Sequence, residues 1–474
     1  MLYIHIPFCA KKCNYCDFRS FYADKKEVDT YVNALINEII KKSALATNLS
    51  ISSIYIGGGT PSFINATHIE KILRTVLINY KVEDNAEITI EANPNSLTKE
   101  KLDIYKSIGI NRLSIGLQST FNDELKTLGR LHTYEDFLNA YDDALHAGFK
   151  NINIDLIYGI PSQTVDRFKE SLTRVLKFMP THISIYNLIV EEGTPFFEMK
   201  KEGKLHLPSE DEVIKMDNLI DETTKKYNFI KYEVSNFAKN NFFSMHNLGY
   251  WSDVYYLGFG LNASSYFYDL RLKNYFEMDK YLSVYEYDEN KNNGNEKNVN
   301  NNIIANSENE YNDKLNKENM NIENVNYGSN NNINNENANY QIKNNNYLLN
   351  EDKLEKYYSL QEKIYDENTD DYTISKNIKE VLLESNNFKN SFEEVLIPTK
   401  EELMSEYVMM GMRKTVGINK KDFFSRFSEI FDNVYYFELK KYLENEMILK
   451  DGDYYYLSDK GMYLSNVVLA DFML

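Results

Sequence analysis

A chain of 474 residues with 43% hydrophobic residues is long enough for two or three domains, and its formal net charge is −18. Such an acidic chain is a poor candidate for general binding of nucleic acids or anionic membranes, and we expect no nucleic-acid partner. No apolar run approaches the roughly 20 residues that span a bilayer, and the first strand begins at Leu2 without room for a signal peptide, which predicts a cytoplasmic protein.

The first half of the chain alternates short β-branched runs with amphipathic segments. Strands are predicted at 2–7, 53–56, 87–91, 112–116, 151–157 and 182–188, and helices at 27–43, 67–79, 98–108, 134–147 and 165–177. This alternation predicts an α/β fold with a parallel sheet and right-handed crossovers. Six units favour an incomplete (β/α) barrel over a doubly wound sheet, although the pattern does not exclude the latter.

The only three cysteines, Cys9, Cys13 and Cys16, lie within eight residues after the first predicted strand. Iron–sulfur clusters usually take four Cys thiolates and structural zinc also takes four ligands, so three thiolates favour a [4Fe–4S] cluster with one open iron. Two alternatives stay open: zinc with His5 as fourth ligand, and reactive thiols without a metal. His5 lies in the predicted strand and is expected to point elsewhere.

Polar or glycine-rich residues also follow the next four strands. Gly57-Gly58-Gly59-Thr60-Pro61 follows the second strand, and Glu91, Gln118 and Asp155 lie at or near the ends of the third to fifth. Ligands of parallel α/β folds bind beyond the carboxyl ends of strands, so these residues predict a ligand site. The glycine run would leave backbone N–H and C=O groups free to bind that ligand. The alternative is plain turn chemistry, as at Asn93-Pro94.

The run His246-Asn247-Leu248-Gly249-Tyr250-Trp251 contains the only tryptophan of the chain. His246 is interpreted either as a hydrogen-bonded loop histidine beside packed aromatic rings or as an axial haem ligand, because imidazole is the usual proximal ligand of haem. The residues alone leave both readings open.

The composition between about residues 288 and 347 collapses into Asn with Glu, Lys and Tyr, which predicts a disordered insertion. Helices at 401–415, 421–427 and 436–444 and a hairpin at 448–457 then predict a small winged-helix-like unit. The unit is not notably basic, so we interpret it as structural or as a substrate lid rather than a DNA-binding domain. Its methionines at 409, 410 and 412 are expected to fill the core.

The run Tyr3-Ile4-His5-Ile6-Pro7-Phe8-Cys9, the CxxxCxxC spacing and Asp17-Phe18 resemble the opening of radical S-adenosylmethionine (SAM) proteins, and within them the oxygen-independent coproporphyrinogen III oxidase-like family. The resemblance covers about residues 1–285 and 395–474. It implies a partial (β/α)6 barrel and a [4Fe–4S] cluster whose open iron is chelated by the amino and carboxylate groups of SAM. In the family, the reduced cluster cleaves SAM to a 5′-deoxyadenosyl radical.

Matching by motif implies which residues would bind SAM. The implied contacts are Tyr3 and Tyr15 around the cluster loop, Gly58, Gly59 and Thr60 at the methionyl amino end, Glu91 and Arg130 at the charged ends of the amino acid, and Gln118 and Asp155 at the ribose hydroxyls. An Arg130 guanidinium suits a carboxylate through paired hydrogen bonds. The alternative for Arg130 is a surface salt bridge.

The H-N-x-x-Y-W run marks the haem chaperones within this family, which implies haem binding by His246, Asn247, Tyr250 and Trp251 and haem proteins as acceptors. The oxidases carry an extension before the first strand and a further Cys where Phe18 stands, and both differences favour the chaperone. Ser264 stands where the family has His, which puts a second histidine ligand in doubt. Oxidative decarboxylation of porphyrinogen propionates, or another radical SAM reaction, is the alternative. No catalytic residue is predicted, and a homodimer is an open alternative to a monomer.

Four segments are therefore expected. They are a radical SAM partial barrel (1–230), a β-rich extension with the H-N-x-x-Y-W run (231–285), an Asn-rich insertion with an unassigned segment (286–390), and a C-terminal winged-helix-like α+β domain (391–474).

Overall fold

A nine-stranded sheet forms the centre of the protein. The computed structural model describes residues 1–285 and 371–474, and the insertion predicted to be disordered, at about 288–347, lies outside the described residues. Six parallel strands lie side by side in chain order: β1 (Leu2–Ile6), β2 (Ser50–Gly58), β3 (Lys81–Ala92), β4 (Arg112–Gln118), β5 (Asn151–Tyr158) and β6 (His182–Asn187). A doubly wound sheet reverses its strand order at a switch point, so this sequential order confirms the barrel type.

Helices cover the outside of the six strands. They are α1 (Lys25–Lys42), α2 (Ala66–Asn79), α3 (Lys99–Ser107), α4 (Asn122–Leu128), α5 (Tyr134–His146) and α6 (Val165–Lys177), followed by α7 (Pro195–Lys201) and α8 (Glu210–Lys226). A capping box starts α1: the Asp24 carboxylate accepts from the Glu27 N–H at 2.9 Å, and the Glu27 carboxylate accepts from the Asp24 N–H at 2.8 Å. The sequence did not predict α4 and α7, which are each seven residues long.

The next segment adds strands to both edges of the sheet. At one edge β8 (Asn236–Ala238) pairs antiparallel with β6, and β7 (Ile230–Lys231) pairs with β8. After helix α9 (Met245–Tyr250), strand β9 (Leu257–Phe259) pairs parallel with β1 at the opposite edge. Among the described residues, β1 therefore pairs with β9 and β6 pairs with β8, and β1 and β6 do not pair with each other. The barrel is open, as predicted.

A second sheet packs beside β9. It consists of β10 (Ser264–Phe267), β11 (Leu270–Lys273) and β12 (Glu394–Leu396), with helices α10 (Met278–Tyr285), α11 (Asp371–Leu383) and α12 (Asn386–Lys389) around it. A fully buried ion pair within α1 anchors this segment to the barrel: Lys42 Nζ lies 2.6 Å from Glu38 Oε1, and both side chains bond residues of the second sheet's segment. Lys42 also donates to Asn274 Oδ1 at 2.8 Å, and Tyr281 donates to Glu38 Oε2 at 2.7 Å. These additional bonds satisfy charges that would otherwise be costly to bury.

The C-terminal part is an α+β domain with its own core, as predicted. Its elements are α13 (Lys400–Gly411), β13 (Ile418–Asn419), α14 (Lys420–Phe427), α15 (Phe431–Val434), α16 (Tyr436–Glu444), β14 (Ile448–Asp451), β15 (Tyr454–Leu457), α17 (Asp459–Tyr463) and α18 (Ser465–Ala470). The strands form an antiparallel sheet in the order β13-β15-β14, and the core centres on Phe423, Phe431 and Tyr435. Arg426 fastens this domain to the preceding segment by ion pairs with Asp253 and Asp269.

In the part of the chain that the structure describes, no helix is both long enough and apolar enough to cross a bilayer.

Candidate functional site

The loop after β1 holds the three cysteines at the carboxyl end of the sheet. Cys9 is buried, and Cys13 and Cys16 are partly exposed. Backbone hydrogen bonds fix the loop, from Cys9 N to Phe21 O at 3.0 Å and from Asn14 N to Leu128 O at 2.9 Å. Burial raises the pKa of the Cys16 thiol to about 11. An iron ion would therefore displace a proton from this thiol when it binds.

The cysteines fit a multi-iron cluster better than a single zinc ion. Within residues 1–285 and 371–474, no three His, Cys, Asp or Glu side chains are arranged to hold one metal ion. His5, the proposed fourth zinc ligand, is engaged elsewhere: its Nδ1 lies 2.9 Å from the Tyr3 hydroxyl and its Nε2 lies 3.2 Å from Arg19 O. Three thiolates on one loop suit three irons of a cluster, which leaves the fourth iron for a ligand.

The glycine run packs directly against the cluster loop. Gly59 N donates to Ile6 O and Thr60 N donates to Phe8 O, each at 2.9 Å, and Thr60 Oγ1 lies 3.3 Å from Cys9 Sγ. A Cβ on Gly59 would lie 2.8 Å from Phe8 O and 3.0 Å from Cys9 Sγ, closer than real Cβ atoms approach. The glycine run was expected to leave its N–H groups free to bind a ligand. This expectation is wrong for Gly59 and Thr60, because their N–H groups already donate to the backbone at the end of β1 and in the loop after it.

Glu91 connects β3 to the glycine run. Its carboxylate accepts from the Tyr55 hydroxyl at 2.8 Å and from Gly58 N at 3.0 Å. Burial raises the pKa of Glu91 to about 7, and these two hydrogen bonds oppose that rise. Glu91 is therefore an anchored acid at the strand ends that changes charge near neutral pH.

Arg130 joins the cluster loop to the strand ends. It follows α4 after Gly129, whose φ of 80° ends that helix in the left-handed conformation. Its guanidinium donates to Gly116 O at 2.7 Å and to Asn93 Oδ1, and lies 3.7 Å from Cys13 Sγ. Arg130 has no carboxylate partner among the described residues, so the surface salt-bridge alternative is wrong.

Asn93 was read from the sequence only as part of a turn, yet it bridges the site. It accepts from Arg130 and donates from Nδ2 to Thr60 Oγ1 at 2.9 Å. Asn and Asp side chains commonly hydrogen-bond the backbone of neighbouring residues in the sequence. Nothing in the sequence therefore indicated that Asn93 would bond side chains distant in the sequence.

The other implied SAM contacts lie along the same edge, except Tyr3, which is the second residue of β1. Gln118 is buried with φ of 75° at the end of β4. Asp155 accepts from Asn153 Nδ2 at 2.7 Å and from Ser114 Oγ at 3.4 Å. Tyr15 packs against the small apolar cluster around Leu128, and the Tyr3 hydroxyl faces His5.

The predicted haem-binding residues lie on α9, which packs against the barrel. His246 is only 1% exposed, and its ring stacks on Tyr55 with centroids 5.0 Å apart. Its Nδ1 lies 2.9 Å from Ser53 Oγ and its Nε2 lies 3.1 Å from the Tyr250 hydroxyl. Both ring nitrogens are thus engaged within the protein, and burial lowers the pKa of His246 to about 3.

The remaining residues of the run are anchored as well. Trp251 Nε1 donates to Glu233 Oε2 at 2.8 Å, and the Arg413 guanidinium lies 5.4 Å from the Trp251 ring centre. Asn247 N donates to Ser244 Oγ at 3.3 Å.

Glu87 is a buried acid that the sequence analysis did not single out. It accepts from Ser244 Oγ and Met245 N at 3.1 Å each and from His246 N at 3.2 Å, so it caps the amino end of α9. The buried guanidinium of Arg112 lies 4.0 Å away and balances its charge. A carboxylate at a helix amino end is favourable because the free N–H groups point at it.

We expect Glu87→Gln to lower the free energy of unfolding by about 1–3 kcal/mol, because it removes the carboxylate that lies 4.0 Å from the buried Arg112 guanidinium and weakens the α9 cap. Urea unfolding measures this change. Glu83→Gln, an exposed change in the same strand, serves as the control. Equal stability of the two variants would mean that Glu87 does not position α9.

Two neighbouring cavities share the side chains of Tyr250 and Tyr256. The inner cavity is lined by Tyr3, His5 and Gly58 beside the cluster loop, and by Ser264, which stands where the family has His. The outer cavity lies between α9 and the C-terminal domain and is lined by Trp251, Tyr266, Tyr407 and Met410 among others. Met410 thus lines a cavity rather than filling the core, whereas Met412 is fully buried.

Comparison with known proteins identifies two regions. Residues 3–175 match the radical SAM superfamily, and residues 399–464 match the HemN C-terminal domain. The heme chaperone HemW of Bacillus subtilis is 38% identical over 283 residues, which cover 60% of this chain and 75% of that protein. The heme chaperone HemW of Escherichia coli is 35% identical over 264 residues, which cover 55% of this chain and 68% of that protein.

A solved structure agrees with the fold. Coproporphyrinogen III oxidase (HemN) from Escherichia coli, described as a radical SAM enzyme, superimposes with a TM-score of 0.68 at 18% identity and covers 100% of this chain and 89% of its own. At this identity the likeness concerns the fold alone.

Proposed function

This chain belongs to the radical SAM superfamily and, within it, to the family of the heme chaperone HemW, and from that membership we propose that it binds haem and delivers it to haem proteins. One observation carries the proposal beyond the relatives: α9, which bears the H-N-x-x-Y-W run, is fixed to the barrel by Glu87 and Ser53 and presents Tyr250 to both cavities. Haem would bind at this helix, with His246, Asn247, Tyr250 and Trp251 as its binding segment.

Membership of the radical SAM superfamily implies a [4Fe–4S] cluster and SAM. We propose Cys9, Cys13 and Cys16 as the ligands of three irons, and the fourth iron, when present, supplies a site at which SAM is chelated. Glu91 and Arg130 would then hold the amino and carboxylate ends of SAM, because the Glu91 carboxylate is fixed at the glycine run and the Arg130 guanidinium lies beside Cys13.

The other proposed SAM contacts follow the same edge of the sheet. Gln118 and Asp155 would bind the ribose hydroxyls, and Gly58, Gly59 and Thr60 would line the methionyl end. Tyr3 and Tyr15 would flank the cluster loop. All of these residues except Tyr3, which is the second residue of β1, lie at or near the carboxyl ends of β1 to β5, where ligands of parallel folds bind.

The oxidase alternative is less well supported. The identified relatives above 30% identity that carry a functional name are heme chaperones, whereas the likeness to HemN concerns the fold. Phe18 also occupies the position of the further Cys of the oxidases.

We propose no catalytic residue. We place the protein in the cytoplasm because free thiols and a cluster need a reducing compartment.

A paired assay tests this function. The cluster is reconstituted anaerobically, haem binding is followed by absorbance, and release is followed by transfer to apomyoglobin, while a parallel reaction with SAM and reductant measures decarboxylation of coproporphyrinogen. We expect stoichiometric haem binding, transfer to the acceptor and no decarboxylation. Turnover of coproporphyrinogen, or no haem spectrum at stoichiometric haem, would contradict the chaperone proposal.

The mass of the same preparation in solution distinguishes a monomer from a homodimer.

A further inference from the structure

The side chain that reaches the cavities is Tyr250, and His246 lies behind it. His246 does not line either cavity, is 1% exposed and uses both ring nitrogens within the protein. Tyr250 lines both cavities, and its hydroxyl is the group that His246 Nε2 contacts at 3.1 Å. A haem iron in the outer cavity would therefore meet the phenol before it could meet the imidazole.

We propose that the Tyr250 phenolate is the protein ligand of ferric haem in the outer cavity and that His246 is a positioning residue that holds this phenolate. The proposal deepens, and rests on, the proposed haem-binding function. Tyrosinate is an established axial ligand of ferric haem iron, and metal ligands are commonly oriented by a hydrogen-bonded partner behind them.

The hydrogen-bonded chain Ser53–His246–Tyr250 suits this role. While Tyr250 is a phenol, its O–H can donate to Nε2, and Nδ1–H can donate to Ser53 Oγ. When ferric iron replaces the phenol proton, that proton leaves to solvent and the iron–oxygen bond forms without any change in oxidation state. The neutral imidazole then donates from Nε2–H to the phenolate, and the Ser53 hydroxyl donates to Nδ1. Because a hydroxyl can donate or accept, both tautomers of His246 keep both bonds.

The walls of the outer cavity suit a flat macrocycle. The rings of Trp251, Tyr256 and Tyr407 contribute apolar faces, and the Tyr250 and Tyr256 rings meet edge to face with centroids 4.8 Å apart. Arg271 is the one cationic side chain among the residues that line this cavity, and it provides a partner for a propionate. Its present partner is Glu406, so a propionate would compete with that carboxylate.

The test is ferric haem titration with resonance Raman detection of the iron–phenolate vibrations in the wild type, Tyr250→Phe and His246→Ala. We expect the wild type to show these vibrations and Tyr250→Phe to lose them and to bind ferric haem at least about tenfold more weakly. His246→Ala should keep the vibrations at shifted frequencies and bind about tenfold more weakly. Phenolate ligates ferrous haem poorly, so the affinities of the wild type and Tyr250→Phe for ferrous haem should differ far less.

Tyr255→Phe is the matched control, because its hydroxyl lies 3.2 Å from Ser375 Oγ and Tyr255 does not line the outer cavity. Thermal unfolding of each variant verifies folding. Loss of haem ligation in His246→Ala with an unchanged spectrum in Tyr250→Phe would overturn the proposal in favour of an imidazole ligand. Loss of the phenolate vibrations in Tyr256→Phe alone would overturn it in favour of the neighbouring tyrosine. Absence of haem binding by the wild type would instead contradict the proposed function itself.

Discussion

Replacing Cys13 by Ala should lower the iron and acid-labile sulfide bound after anaerobic reconstitution by about tenfold or more. Three thiolates from one loop are the minimum that leaves a single open iron, and Cys9, Cys13 and Cys16 are the only cysteines of the sequence. Cys13 also lies 3.7 Å from the Arg130 guanidinium, so its loss removes the contact between the cluster loop and the proposed carboxylate-binding residue. We therefore expect SAM binding to be lost together with iron.

Lys12→Ala is the control for this experiment because Lys12 is exposed in the same loop. Iron, sulfide and zinc are measured together by elemental and colorimetric analysis. Unchanged iron in Cys13→Ala would show that the cysteines are not its ligands, and stoichiometric zinc without sulfide in the wild type would favour the zinc alternative.

Glu91→Gln should weaken SAM binding by about 10- to 100-fold and at the same time stabilise the protein without ligand above pH 7. The amide can still accept from Gly58 N through its oxygen and donate to the Tyr55 hydroxyl, so the geometry is preserved while the charge is lost. A charge-assisted hydrogen bond to the SAM amino group then becomes a neutral one.

The pH dependence of this stability effect has a definite sign. The pKa of Glu91 is raised from 4.5 to about 7 in the folded protein, so folding favours its protonated form. Wild-type stability is therefore lost as pH rises from about 4.5 to 7, and the ionised carboxylate costs up to about 3 kcal/mol above that range. Glu91→Gln should match the wild type at pH 4 and exceed it at pH 8.

Urea unfolding at both pH values measures this difference, equilibrium dialysis of the cluster-loaded protein measures SAM affinity, and Glu83→Gln is the exposed control in the same strand. A variant that binds SAM as tightly as the wild type would contradict the assignment of Glu91 to the amino group. Equal stability of variant and wild type at pH 8 would contradict the raised pKa.

Sequence periodicity was sufficient for the alternating strands and helices because these long elements carry clear patterns, whereas the barrel type rested on the number of units and on the family resemblance. The helix predicted at 165–177 is α6 to the residue, and the helix predicted at 98–108 is α3 with Thr98 as its N-cap, whose hydroxyl accepts from Lys101 N. The short strands β7, β8 and β9 were missed because two or three residues show no period, and their pairing with distant edges depends on tertiary contacts.

The candidate site was predictable only where residue type carries chemistry by itself. The cysteines were found from their spacing, Glu91 from its place at a strand end, and Arg130 from the resemblance to the radical SAM family, and the structure brings them to one edge of the sheet. Glu87 and Asn93 were missed because their roles arise from partners more than 30 residues away in sequence. The sequence also did not predict that both ring nitrogens of His246 would be hydrogen-bonded within the protein. One partner, Ser53, lies in a strand whose sequence shows only the pattern of a buried strand.

The pairing of β1 with β9 also sets an order of events during synthesis. The strand that leads into the cysteine loop completes one of its edges only with Leu257–Phe259, roughly 240 residues after Cys16. At ribosomal speeds of about 5–20 residues per second, the thiols wait on the order of 10–50 s for that strand. Until Leu257–Phe259 is made, β1 lacks one of its two neighbours, and we expect the cysteine loop to be more exposed to oxidants and competing metals than in the finished sheet.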